Sequence, residues 1–162
     1  MSFANPTLEQ RFISKYASDV TKVTRKYGLY ASVQMAQAGL ESAWGTSILS
    51  MQGNNFFGMK GTYNGKSVKM LTAEHSASRG WYYIKANFRK YPTAEDSFAD
   101  NAKKLRNGPS FNKNYYAGTW KKNAKNYKQA AKALVNRYAT DPNYAKKLIK
   151  ILKKYDLHRL LD

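Results

Sequence analysis

Between Tyr27 and Met59 the chain runs for 33 residues with a single charged side chain, Glu41. A helix on a protein surface needs a polar face toward water. The segment from Tyr30 to Ser42, through Val33, Met35, Ala36, Ala38 and Leu40, has no charged residue before Glu41. The pattern predicts a helix over roughly 30–42 that is buried on all sides, with Glu41 at its C-terminal end. A carboxylate in that position is desolvated and faces the negative end of the helix dipole, and both effects favour the protonated form. A carboxyl that keeps its proton near neutral pH is what general acid catalysis requires. The plain alternative is an exposed glutamate at a helix end.

The rest of the chain surrounds that helix with amphipathic ones. Leu8, Phe12, Tyr16, Val20, Val23 and Tyr27 recur at spacings of three and four after a capping Thr7, and Gly28 is the expected stop. Thr93 with Asp96 reads as a helix start, followed by Phe98, Ala102 and Leu105 and ended by Gly108-Pro109. Tyr127, Ala131, Leu134, Val135 and Tyr138 form a further helical stripe. Asp141-Pro142 reads as cap and first residue of a last helix carrying Tyr144, Leu148, Ile151, Leu152 and Tyr155. Six of the ten glycines lie between residues 39 and 65, which predicts turns through Gly53–Gly61. Alternation from Trp81 to Phe88, weaker at Val68 and Met70, predicts a β hairpin, with 72–80 as its loop or tip. The expected architecture is one domain over 1–162, mainly α with a small β hairpin.

Composition narrows the function. Lys and Arg number 28 against 10 Asp and Glu, a net charge of +18, which calls for a polyanionic partner or surface. Residues 101–162 hold 16 Lys/Arg and three Asp, so +13 of that charge lies there. There is no cysteine, which excludes disulfides, thiolate zinc sites and a cysteine nucleophile; the two histidines, His75 and His158, speak against a histidine metal site. No cofactor or metal is expected. No apolar run is long enough to span a bilayer, so no membrane insertion is expected, and MSFANPTLEQ does not read as a signal peptide.

Carboxylates are scarce enough to sort. Of four glutamates, Glu9 and Glu95 sit in first helical turns, where the dipole favours them. Glu41 and Glu74 have no such role. Two carboxylates in unlike surroundings are the acid/base pattern of glycoside hydrolysis. Trp44, Asn54, Asn55 and Phe57 suit a sugar cleft, since sugars stack on rings and bond to amides.

Four motifs then become recognisable in order: Ala36–Gly45 around Glu41, Asn54–Gly61, Phe88–Pro92 with Asp96-Ser97, and Tyr138–Ala145. Together they resemble the bacterial endo-β-N-acetylglucosaminidase family of autolysins, flagellar rod-associated muramidases and phage lysins, glycoside hydrolase family 73. The resemblance implies a lysozyme-like fold and cleavage of the β-1,4 bond between N-acetylglucosamine and N-acetylmuramic acid in peptidoglycan. It implies Glu41 as the general acid, Glu74 at the second acidic position on the β lobe, and Tyr138 lining the cleft near Glu41, with Tyr144 among the substrate-binding residues. The partner implied is the glycan strand, with teichoic acids as a further polyanion. A monomer acting at the bacterial wall is expected, either as a phage lysin or structural component or as a domain of a longer autolysin.

Several readings stay open at this level. Glu74 could activate water, giving inversion, or assist attack by the substrate's own 2-acetamido group, giving retention. A lytic transglycosylase on the same fold needs only one glutamate. A basic nucleic-acid-binding module fits the charge and the aromatics, but no recognition motif for nucleic acid is present.

Overall fold

A computed structural model describes residues 5–162; residues 1–4, which open the segment that does not read as a signal peptide, lie outside the described residues. Helix α1, Leu8–Tyr27, starts at Thr7. The Thr7 hydroxyl accepts from the Gln10 amide while the Gln10 side chain accepts from the Thr7 amide, a reciprocal cap. Gly28 ends it in the left-handed conformation (φ 68°) that glycine adopts without strain. Helix α2, Ala31–Glu41, follows directly. Every residue from Ala31 to Gly39 is buried, as its lack of charge requires.

A short helix α3, Ile48–Gly53, was not legible among the turn residues; Ser47 caps it through the Ser50 amide. The hairpin comes next, β1 (Ser67–Ser76) paired antiparallel with β2 (Gly80–Arg89), in register from Ser67 opposite Arg89 to Ser76 opposite Gly80. The expected loop over 72–80 is therefore wrong in extent. Only residues 77–79 turn, and Glu74 and His75 are in β1 itself. Beyond the Ser67–Arg89 pair at its base, the ribbon has solvent on one face and only partial cover on the other, so burial does not impose the strong alternation that marks a half-buried strand.

Helix α4, Ala94–Asn107, starts at Thr93, whose hydroxyl accepts from the Asp96 amide. After a 3-10 turn at Ala117–Thr119, α5 spans only Tyr127–Lys132. The stripe from Tyr127 to Tyr138 was expected to be one helix. Instead the chain turns at Asn136, which takes a left-handed φ of 64°, and its amide donates to the Ala139 carbonyl. Leu134 and Tyr138 still face inward, which preserved the apolar spacing without the helix. Helix α6, Tyr144–Lys154, begins later than Asp141-Pro142 suggested. The Asp141 carboxylate accepts from the Asn143 amide and pairs with Lys147, so it closes a turn instead of capping. Asp156, left-handed at φ 52°, separates α6 from α7, Leu157–Leu161.

One buried cluster joins these helices, with Ile13, Met35, Phe98, Leu134 and Leu148 at its centre. Helix α2 runs through it and packs on α1, α4, α6 and α7. Gly39 lets the Trp44 indole lie against α2: a Cβ there would fall 2.6 Å from the ring, which is wedged edge-on between Phe12 and Tyr155. Gly39→Ala gains about 1 kcal/mol of helix propensity, but forcing the ring costs about 1–3 kcal/mol. A lower melting temperature, by about 2–4 °C for each net kcal/mol lost, is expected in a thermal melt. An unchanged or raised value would show that Trp44 has room to yield.

Candidate active site

Helix α2 ends where the fold opens. Glu41 lies at the junction of two compartments, one of about 760 Å³ and one of about 460 Å³. Both are bordered by Glu41, Tyr138 and Ala139. Phe57, Gly58, Met59 and Lys60 form one wall of the larger compartment, with Arg89 and Asp100 beside them; Lys103, Lys104, Asn107 and Gly108 come from α4 and its end. Leu40, Thr140, Asp141, Tyr144 and Lys147 line the smaller one.

The Glu41 residue is open to the solvent in this cleft, yet protein crowds its carboxyl on the remaining sides. That partial desolvation raises its pKa above the ordinary 4.5. The Tyr144 hydroxyl, and then the charges of Lys104 and Lys147, work in the opposite direction. Desolvation is the larger influence, so the proton is held more firmly than on a free glutamate.

Two buried amides of α2 reach the cleft's tyrosines. The Gln37 amide donates to the Tyr144 hydroxyl at 3.3 Å. Gln34 accepts from Asn101 at 3.5 Å, and Asn101 accepts from the Tyr138 hydroxyl at 3.0 Å. The rings of Tyr138 and Tyr144 stack, 5.9 Å between centroids and 19° from parallel. Burial raises both phenols well above their usual range, so each stays a neutral hydrogen-bonding group. Thus the helix that carries Glu41 also sets the two phenols beside it.

The family model described as mannosyl-glycoprotein endo-beta-N-acetylglucosaminidase, Glucosaminidase, matches residues 17–157. The chain belongs to this family. It is 46% identical over 149 residues to an autolysin of Enterococcus faecalis, covering 90% of this chain and 20% of that protein. It is 43% identical over 150 residues to the exo-glucosaminidase LytG of Bacillus subtilis, covering 92% of this chain and 52% of that one. The crystal structure of the catalytic domain of the autolysin Auto from Listeria monocytogenes superimposes with a TM-score of 0.94 at 51% identity, over 98% of this chain and 90% of that one. The chain thus spans about a fifth to a half of the two curated relatives.

Within this glucosaminidase fold, the residues singled out in the sequence separate into two groups. Glu41, Tyr138 and Phe57 border the larger compartment, and Tyr144 borders the smaller one. Trp44 does not line the cleft; it is part of the packing behind α2. Asn54 ends α3 with a left-handed φ of 48° and donates to the carbonyls of Tyr91 and Pro92. Asn55 is buried, its amide donating to the carbonyls of Met59 and Arg89 at 2.9 Å each, and its oxygen accepting from the amides of Phe57 and Met59. The two asparagines therefore brace the wall that presents Phe57 and Met59, and both the amide and the oxygen of Asn55 are engaged within the protein.

Glu74 lies on β1, opposite Tyr82, and pairs with Lys60 at 3.1 Å. Lys60 borders the larger compartment, whereas Glu74 is not among the residues that line it. The sequence reading missed the ion pair of Arg89 with Asp100 at 2.6 Å, and the hydroxyl of Tyr91 that donates to the same carboxylate at 2.5 Å. Arg89 and Tyr91 were in a quoted motif, and that was the available signal for them. Asp100 and Lys104 carried none beyond helical spacing.

Proposed function

We propose that the protein hydrolyses the glycan strand of peptidoglycan, cleaving the β-1,4 bond between N-acetylglucosamine and N-acetylmuramic acid. The observation that carries this reading is Glu41: a carboxyl on an uncharged buried helix, with a raised pKa, at the junction of two cleft compartments large enough for sugars on either side. Protonated Glu41 gives its proton to the glycosidic oxygen as the bond from C1 breaks. Water then adds to C1 and loses a proton to a base. Tyr138 and Tyr144, held neutral, border the compartments beside Glu41, which supports reading them as cleft residues.

Glu74 is the candidate second carboxylate. Its ion pair with Lys60, and its absence from the compartment lining, favour a second reading in which the substrate's 2-acetamido group attacks C1 and Glu74 acts electrostatically. The anomer first released separates the two: inversion supports Glu74 as base, retention the acetamido route.

The test of the main reading is a digest of purified peptidoglycan in ¹⁸O water, read by mass spectrometry. New reducing ends on N-acetylglucosamine carrying ¹⁸O are expected. Anhydromuramic ends would make the protein a transglycosylase, and reducing muramic acid would place the cut at the other bond.

The same reading gives the surplus charge a role at the wall. Lys146, Lys147, Lys150, Lys153 and Lys154 are all exposed on or beside the α6 surface. Such charges adhere to peptide carboxylates and teichoic-acid phosphates, and salt screens them over about 10 Å at 0.1 M. Wall binding by the monomer, measured by pelleting with purified walls, is therefore expected to fall steeply between low and physiological salt. Salt-independent binding would assign adhesion to other contacts.

A further inference from the structure

Lys104 is a half-buried ammonium in the wall of the larger compartment, without an ion-pair partner among the described residues. Its Nζ sits 4.8 Å from the centre of the Tyr138 ring, which Asn101 holds in place. The other cations of this wall are arranged differently. Lys60 is paired with Glu74 and Arg89 with Asp100, while Lys103 is exposed. Asp100 already receives both Arg89 and Tyr91.

Burial, and then the charge of Arg89, hold the Lys104 pKa below its usual value, against the weaker influence of Asp100 and Glu41. Glu41 supplies no countercharge in the reactive state, because as the general acid it carries its proton. A partly dehydrated cation without a counter-ion is unfavourable. It is well placed for an anion that arrives with the substrate. Every second sugar of peptidoglycan bears a lactyl arm that ends in a carboxylate, or in a peptide stem with carboxylates further out. Polymers of N-acetylglucosamine alone carry none.

We propose that Lys104 forms a carboxylate-receiving subsite, which binds an acidic group borne by muramic acid and so distinguishes peptidoglycan from neutral N-acetylglucosamine polymers. This rests on the glycan-cleaving reading above. The Tyr138 ring steers the ammonium, and an ammonium held over a ring still has N–H groups to donate elsewhere.

The test uses the full chain carrying Glu41→Gln, so that bound glycan stays intact, and calorimetric titration with three probes of equal length. These are an N-acetylglucosamine oligomer, a peptide-free peptidoglycan strand and a peptide-bearing strand. Acidic strands are expected to bind at least about tenfold more tightly than the neutral oligomer, as for one charge-assisted hydrogen bond. The gap closes when Lys104→Met is added and is retained with Lys104→Arg. A gap present with the peptide-free strand assigns the lactyl carboxylate; one present only with the peptide-bearing strand assigns the stem.

Equal binding of all three probes in the Glu41→Gln protein overturns the proposal without any further variant. A gap that survives Lys104→Met, in a protein with an unchanged melting curve, overturns it as well. Wild-type digestion of whole walls keeps the two readings apart. Product without a gap removes the subsite alone, and a gap without product removes the hydrolase reading alone.

Discussion

Replacing Glu41 by glutamine is expected to reduce peptidoglycan cleavage by at least about 10²–10⁴-fold, the span of a lost general acid, while the fold and glycan binding persist. Glutamine preserves the shape and can still hydrogen-bond, but it has no proton to give at any pH used. The rate of digestion by the wild type and the variant, measured at matched concentration, checks this directly. Full activity in the variant would remove Glu41 from the chemistry.

The same substitution carries a stability signature of definite sign. The folded-state pKa of Glu41 lies above the ordinary 4.5 because the cleft desolvates it. Below 4.5 both folded and unfolded chains hold the proton, and no penalty exists. Between 4.5 and the higher folded value the unfolded chain ionises while the folded chain keeps its proton, so stability falls as pH rises, and above the folded value the penalty is complete. Glu41→Gln is therefore expected to melt at the same temperature or higher at neutral pH, with the difference vanishing in acid. Wild-type activity is expected to follow the same titration, falling on the alkaline side as Glu41 loses its proton, at a pH above that of a free glutamate. A variant less stable at neutral pH than in acid, relative to wild type, would contradict the desolvation argument.

The second large effect is expected at Asp100. Its side chain is mostly buried and receives Arg89 at 2.6 Å and the Tyr91 hydroxyl at 2.5 Å. Asp100→Ala leaves a partly buried guanidinium and a buried phenol without their acceptor. Removing one partner of such a group costs about 2–4 kcal/mol, below the full range for a completely buried pair because Arg89 retains some water. At about 2–4 °C per kcal/mol for a chain of this size, the melting temperature should fall by about 5–15 °C. Cleavage should fall with it, because Arg89 closes β2 and borders the cleft. In a double-mutant cycle with Arg89→Met, the second substitution should restore part of the loss. Two losses that simply add would show that the ion pair is not what holds this junction.

What could be read from residues alone follows from where burial leaves a signature. Helices α1 and α2 were legible because one side of α1 and every side of α2 are fixed by the core, and because Thr7, Gly28 and Glu41 mark their ends. The extent of the ribbon was not, since neither face of it is deeply buried. Tyr127 to Tyr138 misled because Leu134 and Tyr138 face the core from a turn at helical spacing. For the candidate site, Glu41, Tyr138, Phe57 and Tyr144 stood out and do surround the cleft. Trp44, Asn54 and Asn55 stood out for their chemistry but are engaged in packing and bracing, a distinction that depends on partners distant in sequence. Lys104 was one lysine among many, and only its burial over Tyr138 separates it from the rest.

The ribbon described above has a mechanical consequence. Strands of ten residues form an arm about 30 Å long, at about 3.3 Å per residue. Its helix packing is against α3 near its base, and the clamp of Arg89 on Asp100 lies at the same end. Glu74 is seven residues out from Ser67, about 23 Å along that arm. Tilting the arm about its base by about 10° would carry Glu74 about 4 Å, given that strand rise. The reach of Glu74 toward Glu41 is thus a leverage problem, governed by the stiffness of the joint at the base of the ribbon.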